Sequence, residues 1–181
     1  NLEHPCQALA DMLTIKEHLG SFKGKKLVYL GDGNNVCNSL LYACAIMGVD
    51  MIACCPAVRM PNAEIMLGAA RIADQNGSKI LASHEPLEAC VDADILYTDT
   101  WVSMGDSTSE EVAVKIFKKY QINQELLDIA KPDCIVMHCL PCHRGQEITD
   151  DVIEGPHSVV FDEAENRMHS IKAVLVATIG R

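Results

Sequence analysis

Long apolar runs and an excess of positive charge are both missing from this sequence of 181 residues. No apolar run approaches the ~20 residues that a membrane-spanning helix requires, so we expect no membrane span. Lysine and arginine total 15 against 25 aspartates and glutamates, which gives a formal net charge of −10. This balance argues against nucleic acids and anionic membranes as partners. It is compatible with a cationic small molecule, although solubility is the commoner reason for such a charge.

A signal peptide is also lacking, and the chain begins at Asn1 instead of methionine. We therefore expect this start to be a cut inside a longer chain. The cysteine count is odd, which is not typical of a disulfide framework. Most cysteines lie in apolar runs, and this indicates buried thiols in a reducing compartment, hence a cytoplasmic protein. The nine are Cys6, Cys37, Cys44, Cys54, Cys55, Cys90, Cys134, Cys139 and Cys142.

Short apolar runs alternate with segments of helical periodicity along the chain. Continuous apolar runs are typical of strands buried on both faces of a parallel sheet. The predicted strands are residues 26–30, 51–54, 79–82, 94–98, 134–138 and 158–161, and the predicted helices between them are 38–47, 63–75, 110–119 and 124–129, with a turn capped by Thr149. This order predicts a doubly wound, mostly parallel α/β sheet of Rossmann-like architecture, with helices on both faces.

The chain length suits one domain with a sizeable core, so we treat residues 1–181 as a single unit. Two further helices are predicted at its ends, over residues 5–17 and 164–179. Neither has an obvious strand to cover. We therefore expect the end segments, 1–20 and 164–181, to connect to a domain that is absent from this chain.

Polar clusters follow several predicted strands, where ligands bind in open α/β sheets. After the first strand, Gly31-x-Gly33 resembles a dinucleotide turn, but the third glycine and a ribose-binding acid after the second strand are missing. NAD is therefore not expected. Asn34 and Asn35 offer amides to a carboxylate at a helix start, or else form a capping turn. Asp99 after the fourth strand would bind an ammonium group, or serve as a turn residue.

Cys139 follows the fifth strand and allows three interpretations. With Cys142 it would be a redox pair, if a helix begins there. A zinc site would need four ligands, and no second well-spaced pair is evident. The third interpretation is a single functional thiol in the crevice. An inert buried cysteine fits Cys44 or Cys134 better.

Five motifs in one order and spacing resemble those of ornithine carbamoyltransferases, within the aspartate/ornithine carbamoyltransferase family. The resemblance covers essentially the whole chain and corresponds to the ornithine-binding half of such enzymes. Within the wider group, Asn34-Asn35 and the loop at Ser103-Met104-Gly105 favour ornithine over aspartate or putrescine. The motifs are residues 4–7 (HPCQ), 32–35 (DGNN), 99–105 (DTWVSMG), 138–141 (HCLP) and 163–167 (EAENR).

This resemblance implies transfer of the carbamoyl group of carbamoyl phosphate to the δ-amine of L-ornithine, giving L-citrulline and phosphate, with no metal and no organic cofactor. It also implies roles for residues in the motifs. The ornithine contacts would be Asn35, Asp99, Ser103 and Met104; the carbamoyl phosphate contacts His4, Gln7, Cys139, Leu140 and Arg167; and the catalytic residues Cys139, Asp99, Arg167 and His4.

The chemistry of these side chains agrees with such roles. The attacking amine must be neutral, and an anionic pair of Asp99 and Cys139 would bind the ornithine cation and guide its proton loss. His4 and Arg167 would polarise the carbamoyl oxygen or neutralise charge in the transition state. We expect Cys139 to position and polarise instead of forming a covalent bond.

The sequence departs from the family pattern in one feature, which concerns phosphate binding. The family's Ser-Thr-Arg-Thr-Arg motif, which lies in an N-terminal domain, does not occur here. We therefore predict that this chain alone is inactive and needs the missing domain, within a trimer-based homo-oligomer as the family implies. A stand-alone amino-acid-binding or Cys-x-x-Cys redox module stays open as the alternative.

Overall fold

The fold centres on a sheet of five parallel strands in the order β3-β2-β1-β4-β5. The computed structural model describes residues 2–102 and 107–180. The order runs outward in both directions from β1, so the chain reverses direction across the sheet between β1 and β4. The crevice outside their carboxyl ends is where such folds bind ligands. The strands are β1 Lys26–Leu30, β2 Asp50–Cys54, β3 Ile80–Ser83, β4 Ile95–Thr98 and β5 Ile135–His138.

Helices cover both faces of the sheet, as predicted. Alternate residues of β1 enter two separate cores: Leu27 and Tyr29 belong to one, and Val28 and Leu30 to the other. Burial on both faces explains why the strands read as continuous apolar runs. The helices are α1 Pro5–Leu19, α2 Asn35–Met47, α3 Ala63–Asn76, α4 Pro86–Cys90, α5 Glu110–Phe117, α6 Gln124–Asp128, α7 Asp150–Ile153 and α8 Val160–Ile179.

The predicted sixth strand, residues 158–161, is wrong. Ser158 forms a single bridge to Val136, and α8 begins at Val160, four residues before the predicted start. The physical reason is a buried stripe at helical spacing, formed by Val160, Glu163 and Asn166, which is continuous with the rest of α8. Thr149 precedes α7 as predicted, but its side chain makes no cap hydrogen bond.

The two terminal helices pack against each other. Asn166 of α8 donates from Nδ2 to Thr14 Oγ1 at 3.0 Å and to Glu17 Oε2 at 2.7 Å on α1. Met12 and Ile15 of α1 are buried in the core that covers one face of the sheet. Both helices therefore belong to this unit, while a further role in connecting to another domain stays a prediction.

The second half of α8 lies open to solvent. From Val174 onward its large apolar side chains are exposed, from 40% for Val174 to 73% for Ile179. Within the described part of the chain, no helix is both long enough and apolar enough to cross a membrane.

Candidate functional site

Three strand ends converge at the crevice predicted from the sheet order. Asp99, directly after β4, accepts a hydrogen bond from the Cys139 thiol, directly after β5, with Sγ and Oδ1 3.0 Å apart. From the end of β1, Asn34 donates from Nδ2 to Asp99 Oδ2 at 2.7 Å. The structure thus brings Asp99 and Cys139 together, as the sequence predicted. The Asp99 side chain is largely buried, with 8% of its surface exposed.

Asn34, which the sequence analysis named only together with Asn35, is the residue that holds the Asp99 carboxylate. Asn34 Oδ1 caps α2 by accepting from the backbone N–H groups of Val36 and Cys37, at 3.0 and 3.1 Å. Capping fixes the amide plane, which leaves Nδ2 free to hold the Asp99 carboxylate. The available signal was the helix start itself, because the residue before a helix is the one that caps it.

The remaining predicted ornithine contacts are less defined. Asn35 is the first residue of α2 and is half-buried, beside the crevice. Its side chain makes no hydrogen bond to the described part of the chain. Ser103 and Met104 lie outside the described residues.

The surroundings of the Cys139 thiol favour its protonated form. Its burial, followed by the neighbouring charge of Asp99, raises the pKa of Cys139 well above the ordinary value of a thiol. It therefore donates a hydrogen bond to Asp99 and carries no charge of its own. The expected anionic pair is corrected, because burial and the neighbouring carboxylate disfavour a charge on the thiol.

A buried histidine and glutamate hold the loop that follows β5. His138 Nε2 lies 3.2 Å from Glu147 Oε1, and both side chains are inaccessible to solvent. The backbone N–H of Leu140 donates to His138 Nδ1 at 2.9 Å, so Nε2 carries the proton. Leu140 is held in the left-handed region at φ 53°, which directs the backbone away from β5 directly after Cys139.

The redox and zinc interpretations of Cys139 lose their structural basis. No helix begins at Cys139; the next one is α7, at Asp150. A helix start would lower a thiol pKa, whereas burial raises the pKa of Cys142 as well. Asp99, His138 and Cys139 do place one ligand atom each within 4.8 Å of the others. However, both ring nitrogens of His138 are already engaged in hydrogen bonds.

The residues predicted for carbamoyl phosphate lie at the same end of the sheet. His4 is the N-cap residue of α1, and its backbone N–H donates to Ser39 Oγ at 2.7 Å. Burial, and then the charge of Arg167, lower the pKa of His4, while Asp99 acts in the opposite direction. Arg167 donates from Nη1 to Gln7 Oε1. Its Nε is buried without a partner in the described part of the chain.

A buried carboxyl pair lies beneath these residues and was missed by the sequence analysis. Asp11 of α1 and Glu163 of α8 both accept from Gln7 Nε2, at 2.8 and 3.1 Å. Both also lie within reach of the Tyr97 hydroxyl, at 3.3 and 3.2 Å. Burial raises the pKa of Asp11 to about 7 and that of Glu163 well above its usual range. The signal in the sequence was an aspartate on the apolar face of a helix.

Comparison with known proteins gives a consistent result. Residues 23–178 match the family described as aspartate/ornithine carbamoyltransferase, Asp/Orn binding domain. An ornithine carbamoyltransferase of Methanocaldococcus jannaschii is 56% identical over 175 residues, which are 96% of this chain and 57% of that protein. One of Archaeoglobus fulgidus is 50% identical over all of this chain and 58% of its own length.

Solved structures agree with the sequence relatives. The ornithine carbamoyltransferase of Pyrococcus furiosus superposes with a TM-score of 0.96 at 48% identity, covering 99% of this chain and 57% of that one. The chain thus spans a little over half the length of the proteins it matches. With the family model matching most of its residues, the chain belongs to the aspartate/ornithine carbamoyltransferase family, in which it corresponds to the Asp/Orn binding domain.

Proposed function

We propose that this chain is the ornithine-binding half of an ornithine carbamoyltransferase, which transfers the carbamoyl group of carbamoyl phosphate to L-ornithine. The products are L-citrulline and phosphate. The observation that carries the proposal is the Asp99 carboxylate, held by Asn34 and Cys139 at the point where the sheet order reverses. The 56% identity to an ornithine carbamoyltransferase supports the choice of reaction.

Asp99 supplies the negative charge that an ammonium group of ornithine needs. Its oxygens accept hydrogen bonds from Asn34, Cys139 and the backbone N–H of Thr100, all of them neutral donors. A charge-assisted contact to an ammonium is therefore still to be made. The protonated thiol donates a hydrogen bond to Asp99, so Cys139 orients Asp99 and the amine and does not attack the substrate.

Ser103, Met104 and Asn35 complete the proposed ornithine site. His4, Gln7 and Arg167, with the Cys139-Leu140 backbone, form this chain's share of the carbamoyl phosphate site. The hydrogen bond from Arg167 to Gln7 supports this grouping, because it places both side chains between α1 and α8. Arg167 and His4 would stabilise negative charge as it develops on the carbamoyl oxygen.

The remaining half of the enzyme is proposed to supply the phosphate cradle. This chain spans about 57% of its relatives and has no Ser-Thr-Arg-Thr-Arg motif. The full-length protein is proposed to be a homo-oligomer built from trimers, with no nucleic acid partner and no metal or organic cofactor. A cytoplasmic location is supported by its nine free thiols.

An acceptor panel tests the proposal. The full-length natural protein that contains this chain is assayed with carbamoyl phosphate and, separately, L-ornithine, N-acetyl-L-ornithine, L-aspartate and putrescine. We expect L-ornithine to give the highest kcat/KM, with citrulline and phosphate formed in equal amounts. A higher kcat/KM for any other acceptor, or no carbamoyl transfer at all, would contradict the proposed function.

A further inference from the structure

The buried carboxyl pair of Asp11 and Glu163 is the feature of this domain that the proposed reaction leaves unused. Neither side chain is accessible to solvent, and the two come from opposite ends of the chain. The two acids share two donors, the Gln7 amide nitrogen and the Tyr97 hydroxyl. Burying two charged carboxylates side by side costs far more than burying one, because each opposes the charge of the other.

The shared donors hold the two acids close together. The Tyr97 hydroxyl lies within hydrogen-bonding distance of both Asp11 Oδ2 and Glu163 Oε1, but its single proton serves one of them at a time. Two ionised carboxylates that are buried this close together repel each other, and this favours a proton on one of them. One shared proton leaves the pair with one negative charge.

The groups around the pair come from every neighbouring element. Arg167 on α8 is the cation whose charge acts on Asp11. Tyr97 on β4, Cys44 on α2 and Cys139 after β5 also face the pair; burial, and to a smaller extent the negative charge of the pair, raises the pKa of all three. Asp99 acts on Cys139 and Tyr97 from the crevice. One net negative charge on the pair matches the charge of Arg167, the one cation among the described residues whose charge acts on Asp11.

The pair is connected to both sides of the site. Gln7 donates its amide N–H groups to the pair, and its carbonyl oxygen accepts from Arg167. Glu163 Oε2 accepts from the backbone N–H of His138 at 2.9 Å, one residue before Cys139. The orientation of the amide of Gln7 is thereby fixed, because a flipped amide would face the acids with its oxygen.

We propose that Asp11 and Glu163 are positioning residues that share one proton and, with the negative charge left, hold Gln7 and Arg167 in the orientation that binds carbamoyl phosphate. The inference rests on the proposed function, since it takes carbamoyl phosphate as the ligand of Gln7 and Arg167. It predicts that the two acids are interchangeable as carriers of the charge. Removal of one leaves the other ionised, and only removal of both abolishes the charge.

A double-mutant cycle in the full-length protein tests this. Asp11→Asn and Glu163→Gln keep the shape of each side chain. We expect each single variant to change the KM for carbamoyl phosphate by less than about threefold. The double variant should raise it about tenfold or more, as loss of a charge-assisted contact does, with the KM for ornithine nearly unchanged.

The proposal would be overturned if the KM changes of the two single variants added up to that of the double variant. Equal changes in the KM values of both substrates would also overturn it. A wild-type protein that makes no citrulline instead contradicts the proposed function. Infrared spectroscopy of the unaltered full-length protein supplies a readout that needs neither activity nor a stable double variant. At about pH 8, where ordinary carboxyl groups are ionised, we expect a carboxylic acid C=O band that Glu163→Gln removes. Absence of that band would also overturn the proposal.

Discussion

Two buried aspartates flank the same strand, and their environments differ. Asp94 lies just before β4, with 2% of its surface exposed, and pairs with Lys131 at 2.8 Å and Lys25 at 3.1 Å. Asp99 lies just after β4 and receives hydrogen bonds only from neutral groups among the described residues. Asp94 is thus neutralised within the fold, whereas the charge of Asp99 remains available to a ligand.

The comparison separates a structural carboxylate from a binding one. Both sites provide hydrogen bonds for the carboxylate oxygens, so hydrogen bonding alone does not distinguish them. The difference is that Asp94 has two lysines as partners, whereas Asp99 has no cationic hydrogen-bond donor among the described residues. A buried charge with donors but no counter-ion is costly for a domain to maintain, and such charges occur where a ligand supplies the opposite charge.

The largest effect on activity is expected for the isolated chain, in which neither aspartate can support the reaction. The 181-residue chain alone should form no measurable citrulline, because it cannot hold carbamoyl phosphate against the amine. Such proximity is worth ~7–11 kcal/mol in comparable reactions. The measurement is citrulline formation by the purified chain, before and after addition of the N-terminal half of the same protein. Turnover by the chain alone would show that the phosphate contacts lie within it.

A second prediction concerns the contribution of Asp94 to the stability of the fold. Asp94→Asn keeps a hydrogen-bonding group but removes the charge that holds Lys25 and Lys131. We expect the free energy of unfolding to fall by roughly 1.5–3 kcal/mol, the usual contribution of hydrogen bonds to charged groups. Urea denaturation of the wild type and the variant at neutral pH measures this. An unchanged midpoint would show that Asp94 is not neutralised by its lysines in solution.

The two kinds of buried acid should also respond oppositely to pH. Burial opposes ionisation of Asp94, but hydrogen bonds from Lys131, the Lys26 backbone and Lys25 hold its pKa below the ordinary value. Its stabilisation is therefore present above about pH 4 and lost as the pH falls. Burial raises the pKa of Asp11 to about 7, so its contribution is lost as the pH rises through that value.

Denaturant titrations across this range provide the check. Between about pH 5 and 7 the free energy of unfolding should decline by up to about 1.4 kcal/mol per pH unit for the proton concerned. Asp11→Asn should flatten that decline, because the group that takes up the proton is then absent. Asp94→Asn should instead flatten the loss below about pH 4. The same slopes in both variants and the wild type would refute the assignment.

The smallest expected effect concerns the thiol beside Asp99. Cys6 is exposed and should be alkylated first, whereas burial and the charge of Asp99 protect Cys139. Asp99→Asn should speed alkylation of Cys139 severalfold, since lowering a thiol pKa by one unit gives about tenfold more thiolate. Asp94→Asn is the matched control and should have no effect. Mass spectrometry of timed iodoacetamide reactions measures this.

The sequence predicted the sheet and the three converging strand ends, because apolar runs and the polar residues after them are local signals. It did not distinguish Asn34 from Asn35, since which residue caps the helix depends on where α2 begins. The missed pair of Asp11 and Glu163 is a contact between the two ends of the chain. No local pattern reports such a contact or the proton that it holds.

Two errors have the same origin. Residues 158–161 have the composition of a strand, but the buried face of α8 extends back to Val160 and overrides it. The predicted charge on Cys139 followed from the residue type, whereas its protonation follows from burial beside a carboxylate. In both cases tertiary packing decided between states that the sequence leaves open.

The central claim is that the unneutralised charge of Asp99 binds ornithine, and steady-state kinetics of Asp99→Asn in the full-length protein test it most directly. Asp94→Asn, at the other end of the same strand, is the control. We expect Asp99→Asn to raise the KM for ornithine about ten- to hundredfold, with a far smaller change for carbamoyl phosphate, because one charge-assisted contact is lost. Asp94→Asn should leave both KM values unchanged. Equal losses for both substrates in Asp99→Asn, or an unaltered KM for ornithine, would contradict the account.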